Sequence, residues 1–78
     1  MAVKEVLEYI ARSLVDDPDA VQVTEEEVEG AILLKLSVAP DDVGKVIGRR
    51  GRTARAIRDV VRVAGTKAGV NASVEIVG

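Results

Sequence analysis

Cysteine, histidine, phenylalanine and tryptophan are all missing from the 78 residues, and Tyr9 is the only aromatic side chain. Without thiols or imidazoles there is no disulfide framework, none of the common nitrogen and sulfur metal sites, no thiol nucleophile and no histidine acid-base chemistry. Most enzyme classes are thereby excluded, and the sequence implies no cofactor, no metal and no small-molecule substrate. With one aromatic, the stacking platforms that OB folds and RNP-type sheets offer to bases cannot be built. Nowhere do about 18 apolar residues run together as a membrane helix requires. The opening Met1-Ala2-Val3-Lys4-Glu5 lacks the basic and then apolar regions of a secretory signal. The sequence therefore reads as cytoplasmic and free of membrane.

What is there is an ordinary globule's composition, 47% hydrophobic and 31% charged, and residues 1–78 fit one domain. So short a chain buries only about 60% of the surface it exposes unfolded, so a dimer partner would help it. Its formal charge of −2 conceals a segregation. Residues 45–67 hold eight basic side chains against Asp59 alone, whereas residues 1–44 hold eleven acidic side chains against three basic ones. Affinity for phosphate follows the local field within about 8–10 Å, so the basic segment and not the total decides which partner is attracted.

Val3, Val6, Leu7, Ile10 and Leu14 recur at helical spacing opposite Lys4, Glu5, Glu8 and Arg12, which predicts an amphipathic helix closed by Asp16-Asp17-Pro18-Asp19. Tyr9 falls at the border of its apolar face, where it serves as core edge or as a partner contact. Val21, Val23 and Val28 among Glu25-Glu26-Glu27 suit a half-exposed edge strand. Gly30 marks a hairpin, and Ile32, Leu34, Leu36 and Val38 alternate as a central strand. Pro40 ends it. Asp41 or Asp42 is placed to cap a short helix of about two turns containing Val43, Lys45, Val46 and Ile47. A longer helix spans about Arg52 to Lys67, and Ala72, Val74 and Ile76 form a last strand. The order is αββααβ. A hairpin followed by a two-helix crossover gives an α+β fold with a three-stranded mixed sheet and three helices on one face.

The run Gly44-Lys45-Val46-Ile47-Gly48-Arg49-Arg50-Gly51-Arg52-Thr53-Ala54-Arg55 carries the chemistry. It is not a P-loop, because Val46 stands where Ser or Thr is needed, and it is not a Gly-x-Gly-x-x-Gly fingerprint, because Val46 and Arg49 stand where glycines are needed. Gly48-Arg49-Arg50-Gly51 joins two helices. Its glycines permit angles closed to other residues and leave no Cβ to obstruct a sugar-phosphate chain. The following helix brings its free N–H groups and positive dipole end to the same place, and Arg49, Arg50 and Arg52 add full charges. At 100° per residue from Arg52, Arg55, Arg58 and Arg62 fall at about 300°, 240° and 280°, opposite an apolar arc of Ala54, Ile57, Val60, Val61 and Ala64. Arg55 lies one turn from the loop and reads as a phosphate contact. For Arg58 and Arg62, a solubilising surface and a phosphate contact stay equally open. The pairs Asp41-Asp42 and Asp16-Asp17 read as cap and turn residues, since nothing nearby supplies a nucleophile.

Val46-Ile47-Gly48-x-x-Gly51, with Ile57 beyond it, resembles the signature of the KH domain, an RNA-binding module whose GxxG loop clamps about four nucleotides of backbone. The element order is similar to the bacterial, type II form, and the run from Asp42 through Arg58 resembles the stand-alone single-KH proteins of the KhpA family. The resemblance implies that Gly48, Arg49, Arg50 and Gly51 form the clamp, flanked by Lys45 and Arg52. Val43, Ile47 and the exposed edge of the Ile32 to Val38 sheet would line an aliphatic groove for unstacked bases. Val46 and Ile57 read as core, while Ile47 is open between core and groove. The resemblance further implies a single-stranded RNA partner and pairing as a homodimer or with a larger KhpB-like protein. It implies too an RNA-chaperone role linked to cell elongation and cell-wall homeostasis. The alternative is a protein-interaction adaptor that works mainly through dimerisation.

Overall fold

Val3, Leu7 and Ala11 recur every fourth residue and come to lie on the buried side of a first helix, α1 (Val3–Leu14), in a computed structural model that describes residues 2–77. Glu5 in the first turn and Arg12 in the last complement the helix dipole. Glu8 and Arg12 form the expected pair at 3.4 Å. The buried line is rotated from the one that periodicity predicts. Val6 and Ile10 are half-buried, Leu14 is exposed, and Tyr9 is 69% exposed. Tyr9 is thus no edge of the core, because the buried line of Val3, Leu7 and Ala11 turns away from it, with Ala11 about 160° from Tyr9 around the helix.

The strands β1 (Gln22–Val28) and β2 (Ala31–Ser37) pair antiparallel through a two-residue turn in which Glu29 and Gly30 both have positive φ, 51° and 82°. That geometry matches the strand twist of a tight hairpin. The last strand, β3 (Asn71–Val77), pairs parallel with β2, giving the order β1-β2-β3 with β2 central. Because β2 is paired on both sides, it offers no exposed edge to a ligand; the open edges belong to β1 and β3. Val23, Leu34, Leu36, Ala72 and Val74 point to the helices and are buried. The other face carries the Lys35–Glu26 ion pair at 3.0 Å. Glu25, Glu26 and Glu27 are exposed, as a solvated edge strand should be.

Between the parallel strands run two helices, α2 (Val43–Ile47) and α3 (Arg52–Lys67). The crossover is long enough for parallel pairing. Val46, Ile57 and Val61 join Leu7, Leu34 and Leu36 in a core made without aromatic side chains, and all are at most 3% exposed. Each such aliphatic side chain contributes about 1.5–3 kcal/mol on burial. α3 presses against β3 at Gly65, where an added Cβ would stand 2.8 Å from that of Ala72. It ends with Val70 N–H on Gly65 C=O at 2.9 Å and Gly69 N–H on Thr66 C=O at 3.1 Å, a glycine-terminated turn that leads straight into β3. The register pairs Ser37 with Val77 and Ala31 with Asn71, so α3 starts at the end of the sheet where β2 and β3 finish. The glycine loop stands there.

Candidate nucleic-acid interface

The loop begins where Gly48 closes α2 with φ 76° and ψ 173° and its N–H on Gly44 C=O at 2.9 Å. Arg49, Arg50 and Gly51 form one tight turn, with Gly51 N–H on Gly48 C=O at 3.2 Å and Arg52 N–H on Arg49 C=O. Arg50 sits in the left-handed region at φ 58°, and Gly51 follows at φ 73°. The two glycines do different work. A Cβ on Gly51 meets nothing within 4 Å, so this position needs glycine only for its angles. A Cβ on Gly48 would collide with Thr53 Oγ1 and lie 2.7 Å from Thr53 Cβ and 2.9 Å from its backbone N. Thr53, in the first turn of α3, lies directly over Gly48 and fixes how closely the two helices approach.

Gly51 is the N-cap of α3, and no side chain caps that end. The 16-residue helix therefore presents its positive end to solvent beside Arg49 and Arg50, both exposed. Among the described residues none of Arg49, Arg50, Arg52, Arg55 and Arg58 has a carboxylate within 4 Å, since the ion pairs engage only Arg12, Lys35, Lys45 and Arg62. The structure thus brings Gly48, Arg49, Arg50, Gly51, Arg52 and Arg55 together at one end of the molecule, with four guanidinium groups free of acidic neighbours. Ile47 and Val43 are half-buried beside them.

Lys45 is placed differently. Its ammonium lies 3.1 Å from Asp16 Oδ2 and 3.1 Å from Asp42 Oδ1. Asp16 above all, then Asp42, raises its pKa against the lowering effect of burial. Asp42 is 2% exposed and stands at the N-cap position of α2, as the sequence pattern expects, but its side chain makes no capping hydrogen bond there. Its carboxylate reaches back instead to accept the N–H groups of Asp16 at 3.3 Å and Asp17 at 3.0 Å, tying the segment after α1 to the base of α2. α2 is also shorter than two turns, because a 3-10 turn at Pro40–Asp42 takes up its first residues.

Burial pushes the Asp42 carboxyl up, but the Asp17 N–H, Lys45 and the Asp16 N–H together outweigh it and hold the group below its ordinary value. The folded chain then binds fewer protons than the unfolded one as pH falls below about 4. The stability Asp42 contributes is fully present above that value and is lost as pH falls through its folded pKa. Denaturant midpoints measured from pH 5 down to about pH 2.5 should fall more steeply for the native chain than for Asp42→Asn. Equal slopes would contradict the role given to this carboxylate.

A second feature lies across α3 from the arginines. Ile10 and Leu14 of α1 face Thr53, Ala56, Ile57 and Val60 of α3 across an apolar groove of about 280 Å³. The sequence pattern assigned most of these residues to two helix faces, but which flank of α3 opens toward α1 follows only from the packing.

Residues 4–76 match the family model described as KhpA/KhpB, KH domain. An RNA-binding protein KhpA of Clostridium acetobutylicum is 54% identical over 95% of this chain and 99% of its own length. That of Aquifex aeolicus is 44% identical over 96% of this chain and 95% of its own. Among solved structures, Aquifex aeolicus Era bound to GDP.AlF4- shares the fold with a TM-score of 0.69 at 17% identity, over 95% of this chain and 29% of Era. Era in complex with MgGDPNP and nucleotides 1506-1542 of 16S ribosomal RNA matches with a TM-score of 0.66 at 17% identity, over 95% of this chain and 28% of that one. This chain thus spans under a third of Era, and at that identity the likeness speaks to the fold alone.

Proposed function

Because the chain belongs to the KhpA/KhpB KH-domain family, we propose that it binds single-stranded RNA, without enzymatic activity, by gripping the sugar-phosphate backbone at Gly48-Arg49-Arg50-Gly51. The observation that carries this reading is the loop itself, two arginines without an acidic partner among the described residues, set at the uncapped, positive end of a 16-residue helix. Phosphate is attracted there by the dipole and by the fixed charges together. Arg52 and Arg55 continue the grip. Lys45 flanks it but contributes little, since two carboxylates already match its charge. Half-buried Val43 and Ile47 give unstacked bases an aliphatic surface, and the open edge of β3 gives them backbone hydrogen-bonding groups.

The family extends the proposal. The protein acts as an RNA chaperone in the cytoplasm, as a homodimer or with a larger KhpB-like KH protein, in the control of cell elongation and cell-wall homeostasis. The apolar groove between α1 and α3 supports a protein partner, because Leu14 and Val60 remain exposed at 39% and 48% in the single chain. It also favours a second reading, a protein-interaction adaptor working mainly through dimerisation.

The test is anisotropy of a labelled mixed-sequence single-stranded RNA across a salt series. With about three to five phosphates neutralised at roughly 0.7 each, log affinity against log salt should fall with a slope of about −2 to −3.5. A flat response would contradict the electrostatic grip. Absent binding at low salt, combined with a concentration-dependent dimer in sedimentation, would favour the adaptor.

A further inference from the structure

α3 divides its solvent side into two unlike flanks. Toward α1 it shows Thr53, Ala56 and Val60, which line the apolar groove. Away from α1 it carries Arg55, Arg58 and Arg62, at about 300°, 240° and 280° on the helical wheel that starts at Arg52. Gly65, at about 220° on the same wheel, is the residue pressed onto β3, with an added Cβ 2.8 Å from that of Ala72 and 3.0 Å from Val70 O. The arginine flank therefore borders β3, whose outer edge is unpaired.

We propose that Arg58 and Arg62 extend the RNA grip along α3 as a track for backbone phosphates that leaves the glycine loop and follows the β3 side of the helix. The proposal rests on the loop reading and lengthens its footprint. From Arg52 to Arg62 the helix rises about 15 Å, and a strand leaving the loop along this flank meets Arg55, Arg58 and Arg62 in turn.

The charges fit phosphate better than they fit a solubilising role. A surface that only keeps the chain in solution mixes signs, whereas this flank sets its arginines against Asp59 alone. Arg58 has no carboxylate within 4 Å among the described residues, and Arg62 holds Asp59 at 3.1 Å with both side chains more than half exposed. A pair so exposed is screened and readily exchanged for a phosphate. Every basic residue from Arg49 to Arg62 is arginine, whose planar fork matches two phosphate oxygens at once.

The experiment compares the native chain, Arg58→Gln/Arg62→Gln, and a control, Lys4→Gln/Arg12→Gln, that removes the same charge from α1. Two labelled single-stranded RNAs of mixed sequence, about five and about twelve nucleotides long, are titrated at several salt concentrations. The α3 pair should leave the short RNA within about twofold of native. It should weaken the long one about tenfold and flatten its salt slope by about 1.4, two contacts at 0.7 each. The control should change neither. If the α3 pair binds the long RNA with native affinity and slope, the track is overturned while the loop reading stands, provided Arg49→Asp/Arg50→Asp still abolishes binding. Equal losses for both RNAs, or the same loss in the control, would also overturn it by showing a general field and no track. If the native chain binds neither RNA, loop and track fail together, and an acidic protein becomes the occupant to seek.

Discussion

Gly48→Ala is expected to lower the stability of the fold by about 3 kcal/mol, a strain-and-clash effect at the top of the range for backbone positions of this kind. Two costs add. The residue is held at φ 76°, where a side chain is disfavoured, and the new Cβ would run into Thr53 Oγ1 and stand 2.9 Å from the Thr53 backbone N. Rotating the Thr53 side chain relieves the first contact and leaves the second, because the N belongs to the first turn of α3 and cannot move without the helix. For a 78-residue domain with about 4–12 kcal/mol in total, such a loss is a large fraction. It should appear as a melting temperature lower by more than about 12 °C.

The comparison that isolates the cause is Gly51→Ala, three residues on, with φ 73° but open space around the added Cβ. Only the conformational cost applies there, about 1 kcal/mol. Equal melting temperatures for the two alanine variants would show that Thr53 does not press on Gly48. A bulky residue at Gly48 would remove RNA binding by loosening the α2–α3 junction, so loss of binding in Gly48→Asp says little about the loop's contacts. The loop is better interrogated at its two arginines.

Elements specified by local pattern were legible from the sequence. The alternation of Ile32, Leu34 and Leu36 marks the central strand, and the helix expected from Arg52 to Lys67 is found over those residues. The glycine loop was legible for the same reason, since two apolar helical patterns broken by Gly48 and Gly51 leave only a tight junction between them. Features that depend on residues distant along the chain were not. Asp42 reads locally as a helix cap, and only the folded chain brings the Asp16 and Asp17 N–H groups, 26 and 25 residues earlier, onto its carboxylate. That contact draws Asp16 to Lys45 and changes what a lysine beside a phosphate loop is free to do. Tyr9 shows the same limit. Its place on the helical wheel is fixed by number, but whether anything covers it depends on how closely α1 approaches its neighbours. Arg50 is a third case, because nothing in its identity announces a left-handed backbone.

Arg49→Asp/Arg50→Asp is expected to weaken RNA binding by more than about a hundredfold near 0.1 M salt, since two phosphate contacts vanish and two repulsions replace them. The fold should be spared. Both side chains are exposed and make no ion pair among the described residues, and aspartate tolerates the left-handed angles of Arg50 better than arginine does. Thermal melting close to native therefore accompanies the expected loss, which sets this variant apart from changes at Gly48. The most direct measurement is thus a paired one, RNA anisotropy and thermal melting on the native chain and on Arg49→Asp/Arg50→Asp in the same buffer. An RNA grip centred on the loop requires binding to collapse while the melting temperature holds. Native-like RNA affinity in a variant that melts as the native chain does would contradict it.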